Sequence, residues 1–290
     1  YKLTKKGKVM NSNDQTPTKK AQLINAVLES TMEIIDQPRE REILTRRFGL
    51  NQPKETLEQI GERLDITRER VRQLEKAALI RLKIAAEKGL IENLSEIEKV
   101  IVRNLAEVGR ISRIKSLVKK CLGQIPSEQE IANFLFISEI SSKLVVVQEN
   151  DKYYNSIANA EYGDERKIKT AIDEIVNTIK KNKSPISLDD LDNEFDYEHP
   201  SQIEALAKTS KLLASLNGLW GLAKWPSVNP KNIRDKIFVI LETQKEPMHF
   251  SEIAEHIRDG EFSRRDVTTQ AIHNELIKDK RFVLIGRGIY

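Results

Sequence analysis

The stretch Thr56 to Leu79, TLEQIGERLDITRERVRQLEKAAL, contains two helix starts within twelve residues. Thr56 and Gln59 stand three apart, the spacing of a capping box in which each side chain satisfies the other's free amide. The box opens a short helix with Leu57, Ile60 and Leu64 on one side. Leu64-Asp65-Ile66 is a tight turn, and Thr67 is a good N-cap for a second, longer helix. A short capped helix, a tight turn and a longer charged helix form the outline of a helix-turn-helix.

On the second helix, at about 100° per residue, Arg68, Glu69, Arg72 and Gln73 lie within roughly a 140° arc. Val71, Leu74, Ala78 and Leu82 gather on the other side and can pack on the short helix. The polar types match the major-groove code: Arg takes both acceptors of guanine, Gln pairs with adenine, and Glu accepts from cytosine. Arg70, Lys76 and Arg81 fall nearer the flanks, where phosphates lie. Thr67 sets the helix N-terminus, whose free amides favour a phosphate. The bland reading is that alternating charges on a helix make a solvated face.

A chain of 290 residues has room for two or more cores. Its net charge of +4 is unevenly spread. Residues 1–90 hold 19 Lys/Arg against 13 Asp/Glu, a net of +6, whereas residues 91–290 hold 29 against 31, a net of −2. Basic character at the front is where a polyanion is expected to bind.

Residues 1–20 have the composition of a flexible basic arm. From Ala21, Leu23, Ala26, Val27, Ile34 and Ile35 recur near helical spacing, Pro38 opens the next helix, and Gly49 ends it. With the two helices above, this makes a unit over residues 21–92. Beyond it come helical clusters, each followed by a strand-like segment, near 144–157 and 217–226. KSPISLDDL and KEPMHFSEI repeat with Pro185 and Pro247 62 residues apart. The period fits one winged helix per copy, over 161–229 and 230–290, with a third copy over 93–160. The fold class expected is mainly α, with an N-terminal helix-turn-helix followed by tandem winged-helix units with short β wings.

Catalytic chemistry finds little support, so the chain is read as a non-enzyme without cofactors. Cys121 is the single cysteine, which favours a reducing compartment. No run approaches the ~18 apolar residues of a membrane helix and no signal peptide opens the chain, so no membrane contact and a cytoplasmic location are expected. His249, His256 and His273 lack a ligand pattern, and Glu252 and His256 read as a helix-surface pair. The acidic run Asp189, Asp190, Asp192, Glu194, Asp196 and Glu198 lacks the glycine and spacing of a calcium loop. Because Tyr rather than Met stands first, a fragment of a longer chain is expected.

PREREILTRRFGL followed by TLEQIGERLDITRERVRQLEKAAL, residues 37–83, resembles region 4 of the sigma-70 family, the part of a bacterial sigma factor that reads the −35 promoter element. The resemblance implies base contacts from Arg68, Glu69, Arg72 and Gln73 and phosphate contacts from Thr67 and Arg70. Where the family commonly has Ala-Lys-Ala-Leu, this chain reads Lys76-Ala77-Ala78-Leu79, which moves the lysine by one place. The partners implied are promoter-like double-stranded DNA and the flap of the RNA polymerase β subunit, the latter through Ile43, Leu44 and Phe48. No counterpart of the family's aromatic-rich −10 helix occurs in these 290 residues, so a complete sigma factor is not expected.

PMHFSEIAEHI, DVTTQAIHNELIKDKRF and VLIGRGIY, within residues 232–290, resemble the HARE-type helix-turn-helix, whose wing runs on past the position of Tyr290. That resemblance implies DNA or protein contact. The net of −2 favours protein, with Arg264, Arg265, Lys278, Lys280 and Arg281 as a local basic patch. The resulting reading is a bacterial sequence-specific DNA-binding transcription factor. The alternatives are a δ-like polymerase-associated interaction factor and the recognition part of a restriction system.

Overall fold

The computed structural model describes residues 19–260, 262 and 267–290. It is mainly helical, with two small antiparallel sheets, and has two compact units: residues 19–101 with 118–142, and residues 102–117 with 143–290. Most of the expected arm, residues 1–18, lies outside the described residues, and Lys19 and Lys20 already belong to a helix.

Four helices come first: α1 (Lys19–Glu33), α2 (Pro38–Phe48), α3 (Leu57–Leu64) and α4 (Arg68–Glu87). An order of helix, strand, helix, helix, strand, strand then occurs twice. Its first round is α5 (Leu94–Ala106), β1 (Ile111–Arg113), α6 (Ile114–Leu122), α7 (Glu128–Ile140), β2 (Leu144–Val147) and β3 (Ser156–Asn159). Its second is α8 (Glu165–Asn182), β4 (Ile186–Ser187), α9 (Leu188–Asp192), α10 (Gln202–Thr209), β5 (Leu213–Leu216) and β6 (Leu219–Leu222). Three further helices follow, α11 (Ile233–Gln244), α12 (Phe250–Asp259) and α13 (Thr269–Lys278), and then an ending in which Ile289 bridges both His249 and Gly286. Each three-stranded sheet has its last strand in the middle, in the orders β1-β3-β2 and β4-β6-β5.

The local signals act where the sequence places them. Pro38 opens α2, and Gly49 ends it at φ 76°, a left-handed conformation glycine adopts without a Cβ clash. The repeat at 183 and 245 has a backbone counterpart. Lys183 and Lys245 both take left-handed conformations after α8 and α11, at φ 61° and 56°, and Ser187 and His249 both cap the helix that follows. One strand assignment moves. The segment read from Asn217 begins with a turn, because Asn217 and Gly218 both have positive φ, 51° and 76°, as a two-residue hairpin turn requires. The first strand therefore lies before it, at Leu213–Leu216.

In the first unit the buried side of α1 is Ile24, Val27 and Thr31, with Ile35 beyond its end, so the seam sits slightly rotated from the one the spacing suggests. Helix α7 packs against α1, α2 and α4. Its run Phe134, Leu135, Phe136, Ile137 is buried on successive positions and hence on every side, as befits a central helix. In the second unit one buried cluster runs from Ile111 through Tyr153, α8 and Leu206 to Trp220 and Leu222. Another joins Leu216 and Val228 to α11, α12, α13 and Tyr290.

Candidate nucleic-acid interface

Helices α3 and α4 owe their crossing to local chemistry. The Thr56 side chain accepts from the Gln59 amide at 3.3 Å, and the Gln59 side chain accepts from the Thr56 amide at 2.8 Å. Asp65 ends α3 in a left-handed conformation at φ 53°, and Thr67 then caps α4 by accepting from the Arg70 amide at 3.1 Å. Ile43, Ile60 and Val71 are fully buried where α2, α3 and α4 meet, with Leu57, Leu64, Ile66 and Leu74 around them. Gly61 lies close against the turn: a Cβ there would stand 2.7 Å from the Ile66 carbonyl oxygen. Sequence reading passes over this glycine, although a glycine inside a short capped helix signals a close backbone approach.

Burying Val71, Ala78 and Leu82 fixes which side of α4 faces out. Thr67, Arg68, Glu69, Arg70, Arg72, Gln73 and Lys76 are all exposed, so every residue of the expected reading head lies on the open side. Their side chains form a surface network. Arg72 donates twice to Glu69, at 2.8 and 2.6 Å, and Gln73 donates to the same carboxylate at 3.3 Å. Arg68 pairs with Glu58 at 2.6 Å, and Arg70 reaches the Gln73 side-chain oxygen at 3.5 Å. The hydrogen bonds from Arg72, opposed by some desolvation and helped by Gln73, hold the Glu69 carboxyl well below its usual value, at about 2. It is therefore ionised at any pH at which duplex DNA is handled.

This network does not lock the helix. Exposed ion pairs contribute little to stability. A guanidinium can thus leave its carboxylate at small cost.

Arg81, placed among the flanking phosphate contacts, pairs with Glu40, a buried carboxylate in the first turn of α2, while keeping 54% of its side-chain surface. One expectation needs correction. Ile43 and Leu44, expected as a docking surface, are completely buried, and Phe48 is half-buried with its ring edge-on to Phe136 at 5.0 Å. Ile43 is covered by Ile60 of α3 and Val71 of α4, and Phe48 lies against Phe136 of α7.

The other candidate residues separate cleanly. Arg264 and Arg265 lie outside the described residues. Arg281 pairs with Asp279 at 2.7 Å and Lys278 approaches Glu275 at 4.0 Å, so these two members of the expected patch stand beside carboxylates. Glu252 accepts from the His249 amide at 2.9 Å as part of a helix cap rather than pairing with His256, and His273 lies against Phe250 at 4.7 Å. Among the described residues no group of three or more His, Cys, Asp or Glu is placed to hold a metal ion, and no helix is long and apolar enough to cross a membrane.

Residues 37–83, which comprise α2, α3 and most of α4, match the family model described as sigma-70, region 4. The chain is 38% identical over 80 residues to the RNA polymerase sigma factor SigA of Nostoc sp., covering 27% of this chain and 20% of that protein. It is 37% identical over 78 residues to the sigma factor RpoD of Neisseria gonorrhoeae, covering 26% and 12%. With RpoD of Helicobacter pylori it shares 40% over 62 residues, covering 21% and 9%. The match therefore spans a fifth or less of each of these sigma factors. No solved structure matches the chain.

Proposed function

We propose that this chain is a non-enzymatic bacterial transcription protein in which α4 reads duplex DNA from the major groove at a −35-like element. One observation carries the reading. The first turns of α4 leave Arg68, Glu69, Arg72 and Gln73 exposed together while the opposite side is buried against α2 and α3, within the stretch that matches sigma-70 region 4. In this reading Arg72 and Gln73 meet base edges with Arg68 and Glu69, and the capped N-terminus at Thr67, with Arg70 and Lys76, holds phosphates.

RNA polymerase is the proposed protein partner, since the matching proteins are RNA polymerase sigma factors. The contact would be made elsewhere than at Ile43 and Leu44, which have no accessible surface. The units over 93–160, 161–229 and 230–290 are proposed to be winged helices, the last of HARE type, contacting polymerase or DNA. The recurring element order and the two sheets with the last strand central support this for the first two units.

Selection of bound duplexes from a random pool tests the proposal, and a −35-like consensus is the expected result. Arg72→Ala and Gln73→Ala should each flatten the preference at one position of that consensus, by about 1–3 kcal/mol per base contact. If the pool yields no preferred sequence, or both variants retain wild-type selectivity, α4 is not a reading head.

A further inference from the structure

Residues 91–290 carry a net charge of −2, yet their charge is not evenly distributed. A groove of about 540 Å³ in the second unit is lined by Lys152, Lys180, Lys211, Lys224 and Lys231, with Asp173 as its one carboxylate. The five ammonium groups come from five places in the chain: the β2–β3 connection, the last turn of α8, the α10–β5 junction, the end of β6 and the approach to α11.

The backbone beneath them is pinned. Tyr153 bridges Ser210, and the Lys211 amide donates to the Lys152 carbonyl at 2.7 Å, which sets these two lysines side by side. The Ala223 amide donates to the Leu212 carbonyl at 2.7 Å, and the Asn229 side chain donates to the Ala223 carbonyl at 2.7 Å, which fixes the segment carrying Lys224 and Lys231. Asp173 is itself engaged, accepting from the Tyr153 hydroxyl at 2.7 Å. Lys211 pairs with Glu149 at 2.7 Å. Among the described residues the other four lysines of the groove make no ion pair.

We propose that this groove binds the phosphate backbone of duplex DNA without regard to sequence, as a second contact separate from α4. Like charges held together in one groove raise the local potential above what the net charge suggests, and multiple phosphate contacts are what such a cluster satisfies. The cations also speak to the class of ligand. All five are lysines, hydrated point charges that accept a phosphate at many angles; an acidic protein segment held by fixed carboxylate geometry is the preference of arginine, whose planar fork is bidentate. The groove contains no arginine. Its apolar members Val176, Leu212, Leu222 and Ala223 offer no hydrogen bond to a base, and Asn177 is its one uncharged polar side chain, against five cations.

The inference goes beyond the reading of α4 and is tested apart from it. The full chain is titrated with a fluorescent 20-base-pair duplex of random sequence at several salt concentrations, beside the variant Lys180→Gln/Lys224→Gln/Lys231→Gln and its arginine equivalent. The glutamine variant should bind on the order of tenfold more weakly in low salt, and its slope of log affinity against log salt should shrink by about 0.9 per lost contact. The arginine variant should restore both. Arg72→Ala/Gln73→Ala, measured in parallel, should keep the slope contributed by the groove whatever becomes of sequence preference. Equal affinity and slope for wild type and the glutamine variant overturn the proposal. So does a poly-glutamate peptide that binds wild type more tightly than the duplex and loses its binding in the glutamine variant, since the groove is then a protein site.

Discussion

Glu40 is only 4% exposed, and its charge is answered from another helix by Arg81. A carboxylate taken out of water needs a partner, and removing one member of such a pair leaves the other's desolvation uncompensated. Arg81 keeps 54% of its side-chain surface, so the pair is partly screened. Arg81→Met should therefore destabilise the first unit by about 1.5–3 kcal/mol, the range for a hydrogen bond to a charged group. Adding Glu40→Gln should recover most of the loss. Urea unfolding of the two single variants and the double variant measures this. Additive single effects would show that the two residues do not act as a pair. The sequence places Glu40 beside Pro38 at a helix start, where an acidic side chain is welcome. Its partner stands on a helix that begins 28 residues later.

At the scale of elements, α3 and α4 were largely legible from sequence because their determinants are local. Thr56 with Gln59, and Thr67 with the Arg70 amide, act within three residues, and the buried side of α4 follows from spacing alone. Gly61 is the exception, since its reason is the Ile66 carbonyl across the turn. Gly61→Ala should force α3 away from that turn, destabilise the fold by about 1–3 kcal/mol, and weaken specific duplex binding further because α4 shifts with it. Thermal unfolding together with binding to the selected duplex checks both parts. Unchanged stability would mean that the turn opens freely. Helix α7 carried a usable signal, an apolar run on all its sides. What it covers could not be inferred, because the contact with Phe48 joins residues 88 positions apart.

Across the whole molecule, one of the two buried clusters of the second unit includes Tyr153, with Tyr162 and Tyr197 packed against it. Burial raises all three phenols above the ordinary tyrosine value. Asp173 adds to the shift of Tyr153, and Tyr162 adds to that of Tyr197. The unfolded chain then releases these protons at about pH 10 while the folded chain still holds them. Stability contributed by the neutral phenols is complete below that pH and declines as pH rises past it. Urea midpoints followed by circular dichroism from pH 8 to 11 should fall above pH 10, and more shallowly for Tyr153→Phe. Parallel curves for wild type and variant would remove Tyr153 as a cause.

By itself the sequence determined the helix caps, the two packed sides of the helix-turn-helix and the outward row from Thr67 to Lys76, because each depends on neighbours a turn or two away. It also showed a repeat whose Lys183 and Lys245 share a backbone conformation. Only the tertiary structure decided that Ile43 and Leu44 are sealed inside, that Arg81 answers Glu40, and that five lysines scattered from 152 to 231 line one groove. The physical reason is the same in each case. Burial and electrostatic potential are properties of what surrounds a side chain in space, and a sum of charges along the chain averages away the local field that a binding partner meets.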